Sequence, residues 1–273
     1  MDKKRKYLLI LIIGVCIAIL GIIILYLINF DIIVLTLNTV EGAPIVLISY
    51  IIRVCILAGC SIYLFIRWFS QEKLYTSDLP FLFGMFFLFV AFNKLLELIV
   101  NFLYPLVPIE IYLPYLKIRQ LAVIGAVAPM IFLSIMMIIT LWQVKGRISK
   151  DMDSKKINRV SLMILGIIAV IEATLIIITP NTTFAGINIA IFIVSSFLVI
   201  TWMFYFSYRN KRLSQVNTLM LTIGFGAYLI SQIIRPLVQF IIGENALFVV
   251  ITEIVDIVIG IIIFIGYIRK SKY

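Results

Sequence analysis

The chain has 273 residues, 63% of them hydrophobic and only 13% charged. A soluble domain is nearer half apolar and about a quarter charged, so this composition excludes an ordinary water-soluble fold and calls for lipid as solvent. The net charge of +10 comes with no histidine at all, which excludes histidine-based zinc sites, general bases and nucleophile pairs.

A basic start, Lys3, Lys4, Arg5 and Lys6, precedes an apolar run over residues 7–30. The run is longer than a signal-peptide core and no small-residue cleavage pattern ends it, so it reads as an uncleaved first span. Gly14, Ala18 and Gly21 on it are small enough to admit a second helix closely. Residues 31–43 read as a polar connection with Asp31 and Glu41. The second span, 44–68, contains Arg53 and closes with Arg67 and Trp68.

The third span, 81–104, carries Asn93, Lys94, Glu97 and Asn101. The prolines of 105–115 predict a connection lying in the interface. The fourth span, 116–142, starts with Lys117 and Arg119 and holds Pro129, which predicts a kink. A strongly basic loop over 143–159 follows. The fifth span, 160–179, contains Glu172, and Asn181-Thr182-Thr183 forms a glycosylation sequon too close to the membrane to be used.

The sixth span covers 186–206 and precedes Arg209, Lys211 and Arg212. The seventh, 217–242, holds Gln232, Arg235, Pro236 and Gln239. Glu244 lies in the turn before the eighth, 246–268, which contains Glu253 and Asp256. Each run is near the roughly 20 residues a bilayer needs. The fold class is therefore all-α: a polytopic transmembrane helical bundle of eight spans in a single integral membrane domain over 1–273.

Loop charges set the orientation. Counted from the N-terminus, the even-numbered boundaries carry the basic clusters, including 143–159, 209–212 and the chain end. The odd-numbered loops carry Asp31, Glu41, Glu110 and Glu244, with Lys117 and Arg119 as exceptions. The positive-inside rule then places both termini in the cytoplasm of a cell-membrane protein. Trp68, Trp142 and Trp202 fall at the cytoplasmic ends, where interface aromatics are expected.

The charges inside the spans carry the functional reading. At about 1.5 Å per residue, Arg53, Lys94, Glu172, Arg235, Glu253 and Asp256 lie roughly 20–28 Å from the cytoplasmic side, between the midplane and the outer half of a hydrocarbon core about 30 Å thick. Ionisable groups there are costly and turn towards a bundle interior or a watery cavity. Lys94, Glu97, Asn101 and Tyr104 share one helical stripe, and Gln232, Arg235 and Gln239 share another. The candidate ligand-binding set is therefore Arg53, Asn93, Lys94, Glu97, Asn101, Arg119, Glu172, Gln232, Arg235, Gln239, Glu253 and Asp256. No cofactor and no metal is expected. Cys16, Cys55 and Cys60 all lie in apolar spans and form no CxxC pair.

The eight spans also divide four plus four. Phe87 and Phe102 of the third span correspond to Phe225 and Phe240 of the seventh, and Glu97 corresponds to Arg235. A parallel duplication of this kind would set Glu97 against Arg235 at a shared site.

Three readings follow. The first is transport or binding of a small anionic or zwitterionic solute in a charged cavity. The second is a sensor acting through a cytoplasmic partner at 143–159. The third is a lipid-modifying enzyme using Glu253 and Asp256 as acid and base, or to hold a divalent metal. An enzyme is the less favoured. Membrane lipids and a small-molecule ligand are the expected partners, and nucleic acid is not. The last span has no lysine for a retinal Schiff base, and no phosphate-binding glycine loop is present.

Overall fold

The computed structural model describes residues 3–104, 106–147, 153–243 and 245–271. Pro105, Glu244 and the centre of the basic 143–159 loop lie outside them. The described residues are all-helical, with α1 Lys3–Ile28, α2 Phe30–Thr39, α3 Ala43–Phe69, α4 Leu79–Leu103, α5 Ile109–Val144, α6 Ser154–Ile178, α7 Thr182–Arg209, α8 Thr218–Ile242 and α9 Ala246–Ile268. Every one except α2 is long and apolar enough to cross a membrane. The protein is thus a multi-pass helical membrane protein.

Two connections read as non-helical differ. Residues 30–39 form α2, which places Ile33 and Thr36 inward; the Thr36 hydroxyl donates to the Phe102 carbonyl at 2.9 Å. In the proline-rich stretch, α5 begins at Ile109 and includes Lys117 and Arg119. Pro108 starts it, its carbonyl accepting from Ile111 and Tyr112, because a proline at a helix start gives up only an amide that has no partner there.

The packing divides the chain into two compact units, residues 1–126 and 127–273, with the boundary inside α5. In unit 1, α3 and α4 form the main packed pair. Trp68, at the α3–α4 turn, is 1% exposed. Its indole N–H donates to the Tyr75 carbonyl at 3.1 Å and to Asp78 at 3.3 Å, and its ring packs on Phe81, Phe69 and Tyr7. Trp68 is therefore a core residue rather than an interface anchor, while Trp142 and Trp202 are exposed. The first span fastens by its ends: Tyr7 joins the Trp68 cluster, and the Tyr26 hydroxyl donates to the Leu95 carbonyl at 3.0 Å.

In unit 2, α7 packs on α8 and α8 on α9. Its four helices that start there share one device: Asp153, Asn181, Asn217 and Asn245 each accept, through the side-chain oxygen, the amide three residues on. Such a cap satisfies one of the otherwise orphaned amides and contributes about 1 kcal/mol. The sequon asparagine, Asn181, spends its side-chain oxygen on this cap.

The close helix contact lies elsewhere than expected. Nothing stands within 4 Å of a Cβ placed at Gly14 or Gly21, whereas one at Gly224 would lie 2.6 Å from Ile263 and one at Gly266 3.1 Å from the Leu221 backbone. Glycine is what lets α8 and α9 approach. The proposed duplication finds mixed support in burial: Phe87 and Phe225 are both buried, but Phe102 is 3% exposed and Phe240 91%.

Candidate functional site

Unit 1 gathers four of the candidate residues, Arg53, Lys94, Asn101 and Arg119, around the carboxylate of a fifth, Glu97. Glu97 of α4 takes Lys94 Nζ on its Oε2 at 3.0 Å and Arg119 Nη2 of α5 on the same oxygen at 3.3 Å. The Tyr50 hydroxyl of α3 donates to the other oxygen, Oε1, at 3.2 Å. Asn101 Nδ2 then donates to the Tyr50 oxygen at 2.8 Å. Arg53, one helical turn from Tyr50, acts on Glu97 electrostatically together with Arg119 and Lys94.

Helix geometry explains this convergence. Lys94, Glu97 and Asn101 follow the three-and-four spacing of a single face, as do Tyr50 and Arg53 on α3. The α3–α4 pairing turns those two faces towards each other, burying Arg53 and Lys94 to 2% and 3% exposure. The Lys94 ammonium also sits 5.2 Å from the Tyr50 ring centre, within the range of a cation–π contact. Arg119 is more open than Lys94 or Glu97, its side chain 29% exposed. Charges this buried are tolerable in a membrane segment only with counter-charges and hydrogen bonds in place, and Glu97 receives both.

Unit 2 holds a second group. Arg235 of α8 forms an ion pair with Asp256 of α9 and donates to the Thr252 carbonyl at 3.3 Å. Ser231 lies 3.5 Å from the same Asp256 oxygen. Glu253 and Asp256 are both buried. Glu97 and Arg235 thus each have a counter-ion within their own unit.

The remaining candidates stand apart from these groups in character. Glu172 of α6 faces Asn188 of α7. Gln232 is half-buried and Gln239 exposed, so that stripe contributes mainly Arg235. Asn93, beside Lys94 but a different way round the helix, has a buried side-chain oxygen with no hydrogen-bond partner. Among the described residues no group of three or more cysteine and acidic side chains is placed to hold a metal ion.

Tyr50 is the residue that sequence reasoning missed. It carries no charge and sits in an apolar run, yet its spacing of three from Arg53 was the signal that would have found it. No family model, curated protein or solved structure matches the chain. The class rests on the fold, and any function rests on the site.

Proposed function

We propose that the protein binds, and carries across the membrane, a small anionic or zwitterionic solute at the unit 1 cluster. The observation that supports this is the convergence of Lys94, Arg119 and Tyr50 on one carboxylate. Donors from three helices arranged around a planar anion are what recognition of such a solute requires. Arg53 adds a second guanidinium to the field at that point.

With the termini in the cytoplasm, α3 and α4 carry Tyr50, Arg53, Lys94 and Glu97 about 22–29 Å from their cytoplasmic ends. That is the outer half of the hydrocarbon core. The solute then approaches from outside, with Arg119 as the first cation it meets.

Flux into proteoliposomes tests the reading. Vesicles containing the protein should accumulate labelled acetate, glycine or phosphate faster than protein-free vesicles, and Arg53→Gln should abolish the difference. Binding without flux would favour a sensor, and neither binding nor flux would refute the solute reading.

A further inference from the structure

We propose that a groove between α5 and α7 binds an anionic phospholipid, with the headgroup phosphate at Arg212 and Lys145 and an acyl chain along the apolar walls. The groove lies wholly within unit 2, and the site needs nothing from the solute reading.

Met137, Ile138 and Leu141 line one wall from α5, and Trp202, Met203 and Phe206 line the other from α7. The space between them, counted to its open side, is about 270 Å³. Two contacts hold the walls together here. The Ser207 hydroxyl lies 3.9 Å from the Met137 sulfur, and Lys145 Nζ lies 5.8 Å from the Phe206 ring centre. Trp202 and Phe206 stack at 5.7 Å between centroids, and Trp202 is exposed. From Trp202 to the end of α7 is about 10 Å of helix, as it is from Met137 to the end of α5. A shallow apolar groove of that length suits a chain lying along it better than a compact solute.

The basic end of the groove is built on a strained turn. As α7 ends, the Lys211 amide donates to the Tyr208 carbonyl at 3.1 Å and the Arg212 amide to the Ser207 carbonyl at 2.8 Å. Glycine is the usual residue at the left-handed position of such a cap. Here Lys211 holds it, with φ of 51°, and Leu213 follows with φ of 59°. Residues with a side chain seldom adopt this region, and a bulky one is costly there. The turn brings Arg212 back over the last turn of α7, where it lines the groove with Phe206 and Ser207. Lys145, just past the end of α5, meets the same Phe206 ring. Two cations from two elements therefore border one end of an apolar groove.

That gradient selects the occupant. Apolar walls give little preference inside a bilayer, because lipid tails are as apolar as the helix surface. Preference comes from the charged end. A phosphate can accept from a guanidinium and an ammonium together. An anionic phospholipid matches both cations, whereas phosphatidylcholine brings a cation of its own to the same place. The loop charges predict that this end faces the cytoplasm, the side on which anionic headgroups give the membrane its negative surface potential.

The test uses the full-length protein carrying Trp142→Phe, which leaves Trp202 as the exposed tryptophan. It is placed in phosphatidylcholine nanodiscs with a minor fraction of lipid brominated on its acyl chains, since bromine quenches a tryptophan that it touches. Brominated phosphatidylglycerol should be preferred at Trp202 over brominated phosphatidylcholine by roughly fivefold for each of the two cations. Arg212→Gln and Lys145→Gln should each reduce the preference by about that factor, and together should abolish it. Lys155→Gln with Lys156→Gln removes the same charge from the exposed start of α6 and should leave the preference unchanged. Equal quenching by the two lipids with Arg212 and Lys145 in place would overturn the site, whether or not the charge variants fold. An equal loss of preference from the α6 variant would also overturn it, by reducing it to a general basic field. Stronger quenching by a brominated fatty acid than by phosphatidylglycerol would overturn the phospholipid assignment.

Discussion

Arg119 of α5 and Glu97 of α4 meet at 3.3 Å, on the carboxylate oxygen that Lys94 also reaches at 3.0 Å. One contact is between helices and the other within a single helical turn. Removing Glu97 therefore affects two cations at once, and the two effects are separable.

A double-mutant cycle should show this. Glu97→Gln alone should destabilise the protein by about 3 kcal/mol, since a buried pair broken on one side leaves the partner charge uncompensated. Coupling of Glu97 to Lys94 should exceed its coupling to Arg119, whose partial exposure lets water screen it. Thermal or denaturant unfolding in detergent gives the values. Coupling of Glu97 to Arg235 stronger than to either would contradict the arrangement described.

Tyr50→Phe removes one hydroxyl that serves two partners, donating to Glu97 and accepting from Asn101. It should cost about 1–3 kcal/mol, because partners buried around a missing group lose hydrogen bonds without gaining water. Tyr63→Phe, an exposed ring elsewhere on α3, should change stability far less. Equal effects would deny Tyr50 a place in the network.

The glycine contacts give a steric prediction. Gly224→Leu and Gly266→Leu should destabilise strongly, since neither Ile263 nor the Leu221 backbone leaves room, and overpacking of this kind costs about 1–3 kcal/mol or more. Gly14→Leu should be near neutral in the isolated chain. A loss of stability from Gly14→Leu matching that from Gly224→Leu would mean that the first span has a close neighbour.

The general architecture was legible in the sequence because lipid imposes a coarse, strong rule. A span needs a long apolar run, and each of the eight was there to be read. Lys94, Glu97 and Asn101 were legible as one face because helical spacing alone sets it. Tyr50 was not, since its role depends on which face α3 turns to α4, and an uncharged tyrosine in an apolar run gives no warning of that. Lys94 was legible as a partner of Glu97 from their spacing of three, whereas Arg119 was not, because the contact depends on which face α5 turns to α4. Trp68 looked like an interface anchor by its position near a span end, but the short α3–α4 turn folds back over it and supplies Tyr75 and Asp78 as partners. Helix α2 was hidden because ten residues are too few for the length signal that identified the spans.

Orientation makes its own prediction. With the native cysteines removed, a cysteine at Ser154 should be labelled only from the cytoplasm and one at Asn181 only from outside. A cysteine at Asn101 should react with an impermeant thiol reagent added outside. Labelling of positions 154 and 181 from the same side would refute the assigned topology.

The most direct test of the central claim separates a solute site from a set of ion pairs that merely fasten helices. The double variant Lys94→Met with Glu97→Met removes both members of the pair within α4, and Arg119, with a side chain 29% exposed, loses its carboxylate partner. Its melting temperature should be measured in phosphatidylcholine nanodiscs, with and without acetate, beside that of the native protein. The account predicts that acetate raises the melting temperature of the native protein, and that the double variant folds, melts lower and shows no response to acetate. A double variant that still responds to acetate as the native protein does, or a native protein that does not respond at all, would contradict it.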